Sequence, residues 1–122
     1  IVHIAIPVSG VGLYIDLFTR YMDKNRFTSI LISNNKKASF NFADNSENPI
    51  SIYKVNLIRD LNFITDIRCL FEVIKILKEV KPDLIHCHST KAGIIGRIAG
   101  AYLGITTVYT PHAFSYLSTN NQ

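Results

Sequence analysis

The sequence predicts an α/β fold: a Rossmann-like, doubly wound parallel sheet with helices on both faces, in three layers (α/β/α). Two observations lead to this prediction. Short apolar runs alternate along the chain with segments of helical spacing, the pattern of parallel strands joined by crossover helices. Glycine, histidine or proline follows several of these runs, at positions where such folds bind ligands. The 122 residues are expected to form a single domain, residues 1–122.

The first half of the chain is predicted to contain three strands and one helix. Residues 1–8 are an apolar run that a proline and glycines end, and helical spacing follows over residues 11–21. Residues 27–32 and 50–57 are the next two strands, the second of them nearer the sheet edge. The polar, Asn-rich residues 33–49 between them are predicted to be a long loop.

The second half is predicted to alternate helix, strand, helix and strand. Residues 64–80 carry an apolar stripe at helical spacing and stop before Pro82, which cannot continue a helix. Residues 83–88 form the fourth strand, Thr90–Leu103 a helix of small residues, and Thr106–Thr110 the fifth strand.

Right-handed crossovers favour the strand order 3-2-1-4-5, which makes strands one and four neighbours at the topological switch point. Ligands bind there, at the carboxyl ends of the strands. Three loops are therefore expected to share one rim of the sheet: residues 9–12, 88–93 and 111–114.

Gly10 and Gly12 follow the first strand and match two positions of the dinucleotide fingerprint G-x-G-x-x-G. The third position is Ile15, and Ser33 stands near the end of the second strand, where an acidic residue would bind a ribose. These departures disfavour dinucleotide binding. We expect the two glycines to make a tight turn and to clear space for a ligand at the rim.

His86 and His88 lie two apart on the fourth strand, so their side chains leave one face while Cys87 leaves the other. Zinc sites on strands use such pairs, and His112 is the best candidate for a third ligand. The spacing of these three histidines nevertheless matches no recognised zinc-binding pattern, so we expect no metal at this site. We expect His86 to be packed and bonded to a backbone group, and His88 to face the cleft.

The small-residue helix is expected to be capped by Ser89 or Thr90, with first-turn N–H groups that suit an anion. Glycines near one face predict close packing against neighbouring elements, and the first of them also leaves room for a ligand. These glycines are Gly93, Gly96, Gly100 and Gly104.

The net charge of +4 favours an anionic partner. Nucleic acid is disfavoured, because no binding motif is present and aromatic residues do not interleave the lysines. Lys75, Lys78 and Lys81 form a basic helix end, either a solvated face or a contact for anionic lipid. No apolar run approaches the roughly 20 residues that span a bilayer. We expect free thiols at Cys69 and Cys87 and a cytoplasmic location, with the inner face of the cell membrane as an open alternative.

The stretch "KPDLIHCHSTKAGIIGRIAGAYLGITTVYTPHAF" resembles the N-terminal half of family 4 glycosyltransferases of the GT-B fold. The shared pattern is Pro-Asp-apolar-His-x-His, then Ala-Gly, a small-residue helix, a strand and Thr-x-His-Gly-Phe. Enzymes of this family are retaining, use nucleotide sugars and build bacterial surface polysaccharides such as capsule and lipopolysaccharide.

The resemblance implies that His112 contacts the donor sugar as the main catalytic residue, and that Gly10 and Gly12 lie beside the donor. The acceptor side would be lined by His88, Ser89, Lys91, Gly93 and Phe114. The partners implied are a nucleotide-sugar donor and a glycan or lipid-linked acceptor, with no further cofactor and no metal. The family's C-terminal donor-binding domain is expected outside this chain, which should be inactive alone.

Two residues depart from the family pattern. Ala113 replaces the usual glycine after the histidine, and Val11 splits the usual glycine pair. The sequence leaves two alternative functions open: a standalone metal- or nucleotide-binding α/β module, and a scaffold domain without enzymatic activity. Zinc binding that is lost when His86 or His88 is mutated would favour the module. Activity that is unchanged in His112→Ala would favour the scaffold.

Overall fold

The computed structural model describes residues 1–6, 9–34, 50–58 and 60–112, which contain five strands and three helices in the predicted order. In chain order these are β1 (Val2–Ile4), α1 (Ser9–Tyr21), β2 (Ile30–Asn34), β3 (Ser51–Val55), α2 (Phe63–Val80), β4 (Leu84–His88), α3 (Thr90–Leu103) and β5 (Thr106–Thr110).

Several element boundaries in the first half differ from the prediction, among them the start of α1 (Ser9) and both ends of β3 (Ser51–Val55). β1 is shorter than residues 1–8, although the backbone N–H of Ala5 still donates to Ile32. β2 begins at Ile30 rather than at residue 27, because the N–H of Phe27 closes a turn onto the carbonyl of Asp23. β2 also extends into the predicted loop 33–49, and residues 35–49 of that loop lie outside the described residues.

The strands form one parallel sheet in the order β3-β2-β1-β4-β5, as predicted. β1 and β4 are neighbours in the centre, and their register pairs His3 with His86. On the other side of β4, His88 pairs with Thr110 of β5. The carboxyl ends of the strands therefore meet at one edge, next to the polar residues that follow them.

The two faces of the sheet carry different side chains. The face toward α2 and α3 holds the larger apolar core, and the face toward α1 holds Ala5, Leu31 and Ile15 of the helix. The larger core includes Val2, Ile4, Ile32, Ile85 and Cys87 from strands, Cys69, Val73 and Leu77 from α2, and Ala92, Ile95 and Ala99 from α3. Since side chains alternate along a strand, the histidines of β1 and β4 face α1.

α2 begins and ends within one residue of the prediction. The side chain of Asn62 accepts a hydrogen bond from the backbone N–H of Thr65, which caps the first turn. Lys81 ends the helix in the left-handed conformation (φ 52°), and Pro82 follows. The buried face of α2 holds Cys69, Val73 and Leu77.

α3 lies very close to the sheet, as its glycines predicted. A methyl group at Gly96 would collide with the thiol of Cys87, and one at Gly100 with the hydroxyl of Thr107. Gly104 does not belong to this packed set: it ends the helix at φ +69°, which only glycine adopts without strain. The small side chains of α3 therefore set its distance from β4 and β5.

Candidate functional site

All four histidines of the chain lie together on the α1 side of the sheet. We call His3, His86, His88 and His112 the histidine cluster. The ring centroids of His86 and His88 are 4.1 Å apart, His3 lies 5.4 Å from each of them, and His112 lies 5.2 Å from His88. The two-residue period of β4 and the β1–β4 register produce this convergence.

Three of the four imidazoles are joined in series by hydrogen bonds. His3 Nδ1 lies 3.1 Å from His88 Nε2, and His88 Nδ1 lies 2.9 Å from His112 Nε2. His86 stands outside this series, with Nε2 2.7 Å from the hydroxyl of Thr110. The backbone partner expected for His86 is therefore wrong: a threonine on the neighbouring strand, facing the same side, takes that place.

Burial decreases along the series. His3 and His88 are wholly buried, whereas His112 is exposed just beyond β5. Tyr14 and Phe18, one turn apart on α1, lie over the cluster. The Tyr14 ring is 5.0 Å from that of His112, and the Phe18 ring is 5.2 Å from that of His3, both nearly perpendicular. The series thus runs from the core to the rim of the sheet.

The cluster is uncharged at neutral pH. Burial, with a smaller contribution from His86, lowers the pKa of His3 to about 3 and that of His88 to about 2. Burial also lowers the pKa of His86 and of His112. Each ring therefore has one N–H and one lone pair, so a nitrogen that donates leaves the other nitrogen of the same ring as an acceptor.

The sequence made His112 the best candidate for a third metal ligand beside His86 and His88, but the structure groups His3 with them instead. One ring nitrogen each of His3, His86 and His88 lies within 4.8 Å of the others. Neutral imidazole is the form that binds zinc. However, both nitrogens of His88 already have hydrogen-bond partners. A cation bound by His88 would therefore require this ring to give up at least one of those two hydrogen bonds.

The predicted glycine loop is helical. α1 begins at Ser9, so Gly10 and Gly12 lie in its first turn rather than before it. Gly10 is exposed with open space where a side chain would be, and Gly12 is buried. No acidic residue lies in this turn, so the positive end of the helix dipole is not neutralised there.

Ser89 connects β4 to α3 in a strained conformation. Its φ of 73° lies in the left-handed region that non-glycine residues rarely adopt. It is one of the two predicted cap residues and occupies the N-cap position, but its side chain makes no capping hydrogen bond. Its carbonyl accepts from the N–H of Gly93, one turn into α3. Such strain is common where a segment is held for function.

Lys91 and Gly93 contact other elements. The ammonium of Lys91 is 2.7 Å from the carboxylate of Asp66 and also donates to the carbonyl of Asp60, with the lysine 8% exposed. A methyl group on Gly93 would collide with the ring of Tyr109, which fills the space expected for a ligand. Their acceptor roles stay predictions. Phe114 and Ala113 lie outside the described residues.

Comparison with known proteins identifies the family. A sequence profile described as Glycosyltransferase Family 4 matches residues 8–121, which is nearly the whole chain. The chain belongs to glycosyltransferase family 4. The resemblance seen in the second half of the sequence is thereby confirmed, and the family match extends it almost to the first strand.

Two relatives extend the comparison of this family 4 chain. It is 40% identical over 67 residues to the UDP-Gal:alpha-D-GlcNAc-diphosphoundecaprenol alpha-1,3-galactosyltransferase of Escherichia coli, over 54% of the chain and 17% of that protein. The crystal structure of Acinetobacter baumannii MurG matches with a TM-score of 0.69 and 15% identity, over 96% of the chain and 36% of MurG. The second likeness shows the fold, a Rossmann-like α/β domain of GT-B type. The chain thus spans a small part of either protein.

None of the helices in the described ranges combines the length and hydropathy that crossing a bilayer requires.

Proposed function

We propose that this chain is the acceptor-side domain of a retaining glycosyltransferase that transfers a sugar from a nucleotide sugar to a lipid-linked or glycan acceptor. The observation that carries the proposal is the position of His112. In this family 4 chain it lies at the carboxyl edge of the parallel sheet, exposed and anchored from inside by His88. That edge is where doubly wound folds bind ligands.

The local chemistry suits this reaction. Transfer from a nucleotide diphosphate develops positive charge on the sugar and releases negative charge on the phosphates. His112 contributes a neutral polar group for the sugar. The first turn of α1, with exposed Gly10 and no acidic residue, offers backbone N–H groups for phosphate oxygens.

The E. coli relative suggests the substrate class. Its name gives UDP-Gal as donor, a GlcNAc carried on diphosphoundecaprenol as acceptor, and an alpha-1,3 linkage. Because the sugar of UDP-galactose is α-linked, an α product means retention. We extend the nucleotide-sugar donor and the lipid-diphosphate acceptor to the present protein as its proposed substrates, in surface polysaccharide assembly at the inner face of the cell membrane.

A thermal-shift experiment tests the binding half of the proposal. The full-length protein is melted with UDP, UDP-sugars, NAD and zinc chloride in parallel. Stabilisation by a nucleotide diphosphate or its sugar is expected, worth about 2.7 kcal/mol at a hundred times the dissociation constant. NAD serves as the control nucleotide. Stabilisation by zinc alone would contradict the proposal and favour a metal-binding module.

A further inference from the structure

The series His3–His88–His112 has two different ends. At the inner end, Nε2 of His3 is buried with no hydrogen-bond partner among the described residues. At the outer end, His112 is exposed, and its Nδ1 is the ring nitrogen not used in the bond to His88. Since each ring is neutral and carries one proton, the two internal hydrogen bonds must point the same way.

Two proton arrangements satisfy this condition. In the outward arrangement, His3 Nδ1–H donates to His88, His88 Nδ1–H donates to His112, and the proton of His112 is on Nδ1. The buried Nε2 of His3 is then a bare lone pair. In the inward arrangement every donor is reversed, so His3 buries an unpaired N–H and Nδ1 of His112 becomes an acceptor.

The surroundings of Nε2 of His3, at the buried end of the series, decide between the two proton arrangements. Among backbone groups, orphaned buried N–H donors are rarer than under-satisfied carbonyl acceptors, and the same order for ring nitrogens favours a lone pair over an N–H at Nε2 of His3. The ring that α1 places beside His3 is that of Phe18, 5.2 Å away, which offers at most a weak π acceptor. The outward arrangement is therefore favoured, and the core of the domain dictates the tautomer of a residue at its surface.

We propose that His3 and His88 are positioning residues that hold His112 as the neutral tautomer protonated at Nδ1, so that it presents an N–H donor to an oxygen of the bound nucleotide sugar. The role toward the sugar rests on the proposed function. The tautomer rests on the hydrogen-bond series alone. Burial lowers the pKa of His112 and holds those of His3 and His88 far below neutrality, so the donor and the series behind it are uncharged.

Nitrogen NMR measures the tautomer directly. The protein is labelled with ¹⁵N-histidine, and long-range ¹H–¹⁵N spectra are recorded at pH 7.5, with His112→Ala used to assign the rim residue. We expect the Nδ1–H form at His112, although an unconstrained histidine prefers Nε2–H. Finding Nε2–H at His112 of the wild-type protein would overturn the inference, and this result requires no variant at a buried position to fold.

Two substitutions of His3, the buried end of the series, test whether this residue controls the tautomer of His112. His3→Phe keeps a ring but removes both nitrogens, and it should release His112 toward a mixture of tautomers. His3→Asn places an amide N–H where Nδ1 stood and should restore the Nδ1–H form. The matched control is His86→Phe: His86 is the register partner of His3, is similarly buried, and lies outside the series. An unchanged tautomer in folded His3→Phe would overturn the inference.

Kinetics separate this inference from the proposed function. In the full-length enzyme, His3→Phe should lower kcat/KM by about threefold to tenfold, the value of one neutral hydrogen bond, and His3→Asn should recover it. If the tautomer is Nδ1–H but no nucleotide sugar is used, the proposed function fails and the tautomer assignment stands. If transfer requires His112 but the tautomer is Nε2–H, only this inference fails.

Zinc is the rival occupant of the cluster. Equimolar zinc chloride should leave the ¹⁵N resonances of His3, His86 and His88 in place, because the hydrogen bonds of the series compete for the same nitrogens. Simultaneous shifts of all three at one equivalent of zinc would overturn the inference and identify a metal site instead.

Discussion

His88 is a wholly buried side chain whose two nitrogens both have partners. A buried polar group without hydrogen bonds is costly, so the imidazoles on either side are what make this position tolerable. His3 has the same kind of bond at one nitrogen, while its other nitrogen has no partner in the part of the chain that the structure describes. The histidine cluster is therefore uncharged and held by hydrogen bonds of fixed direction, at buried positions where aliphatic side chains would make only packing contacts.

The lowered pKa values predict that acid destabilises the domain. In the unfolded chain each histidine takes up a proton near pH 6.5, while His3 and His88 in the fold do so only near pH 3 and pH 2. Below pH 6.5 the unfolded state thus binds more protons, and the free energy of unfolding falls as pH falls. The stabilisation is fully present above that pH and should shrink by about 2 kcal/mol per buried histidine between pH 7 and pH 5.

Urea denaturation at pH 7 and pH 5 measures this loss, and His3→Gln supplies the comparison. The variant lacks one of the two most shifted histidines, so its pH-dependent loss should be about 2 kcal/mol smaller than that of the wild-type protein. Equal losses in the two proteins would contradict neutral burial of His3.

Prediction from sequence was uneven at the level of single residues. His86, His88 and His112 could be predicted because residue spacing and the family pattern are local signals in the sequence. His3 is not indicated by the sequence, since its role depends on the β1–β4 register, which pairs residues 83 positions apart. Lys91 was expected near the ligand, but its partner Asp66 lies on another helix, and no local pattern indicates that ion pair.

At the level of elements, periodicity predicted each helix and strand because their apolar residues repeat locally. Boundaries failed where a backbone hydrogen bond decided the outcome, as at the turn before β2. The close approach of α3 was predictable because glycines at helical spacing leave room for a neighbouring element. Which atoms fill that room, the thiol of Cys87 and the hydroxyl of Thr107, required the sheet order.

α2 has an outer face suited to an anionic membrane surface. Phe63, Ile64 and Phe71 are largely exposed there, and Lys75 and Lys78 follow toward its C-terminus. The ammonium of Lys78 also lies 5.8 Å from the ring of exposed Tyr102 on α3. Exposed apolar side chains beside lysines favour an interface with anionic lipid, consistent with the proposed lipid-linked acceptor.

Charge reversal tests this face. The double variant Lys75→Glu, Lys78→Glu should reduce sedimentation with anionic vesicles by tenfold or more, at about 1 kcal/mol per basic residue removed. Lys81 is left unchanged because its left-handed conformation ends α2. The matched control is Lys24→Glu, Arg26→Glu, in which Arg26 likewise lies over an aromatic ring, at 5.6 Å. Equal vesicle binding by the two variants would exclude this face as the contact.

At the scale of the whole molecule, the preference for right-handed crossovers predicted the strand order. That strand order in turn predicted that three loops share one rim of the sheet. The sheet brings the first turn of α1, the β4–α3 connection and His112 to its carboxyl edge. The same sheet and rim belong to the fold that the chain shares with 36% of MurG, and a donor-binding domain outside this chain stays a prediction.

Sugar transfer by the full-length protein tests the central claim most directly. Membrane-free enzyme is incubated with radiolabelled UDP-galactose and GlcNAc-diphosphoundecaprenol, and label in the lipid fraction is followed for the wild-type protein and His112→Ala. We predict transfer by the wild-type protein with an α-linked product, and a loss of 10²-fold or more in the variant, as when a transition-state hydrogen-bond donor is removed. Label transfer that is unchanged in His112→Ala would contradict the role assigned to the rim histidine. No transfer from this or any other nucleotide sugar would contradict the account as a whole.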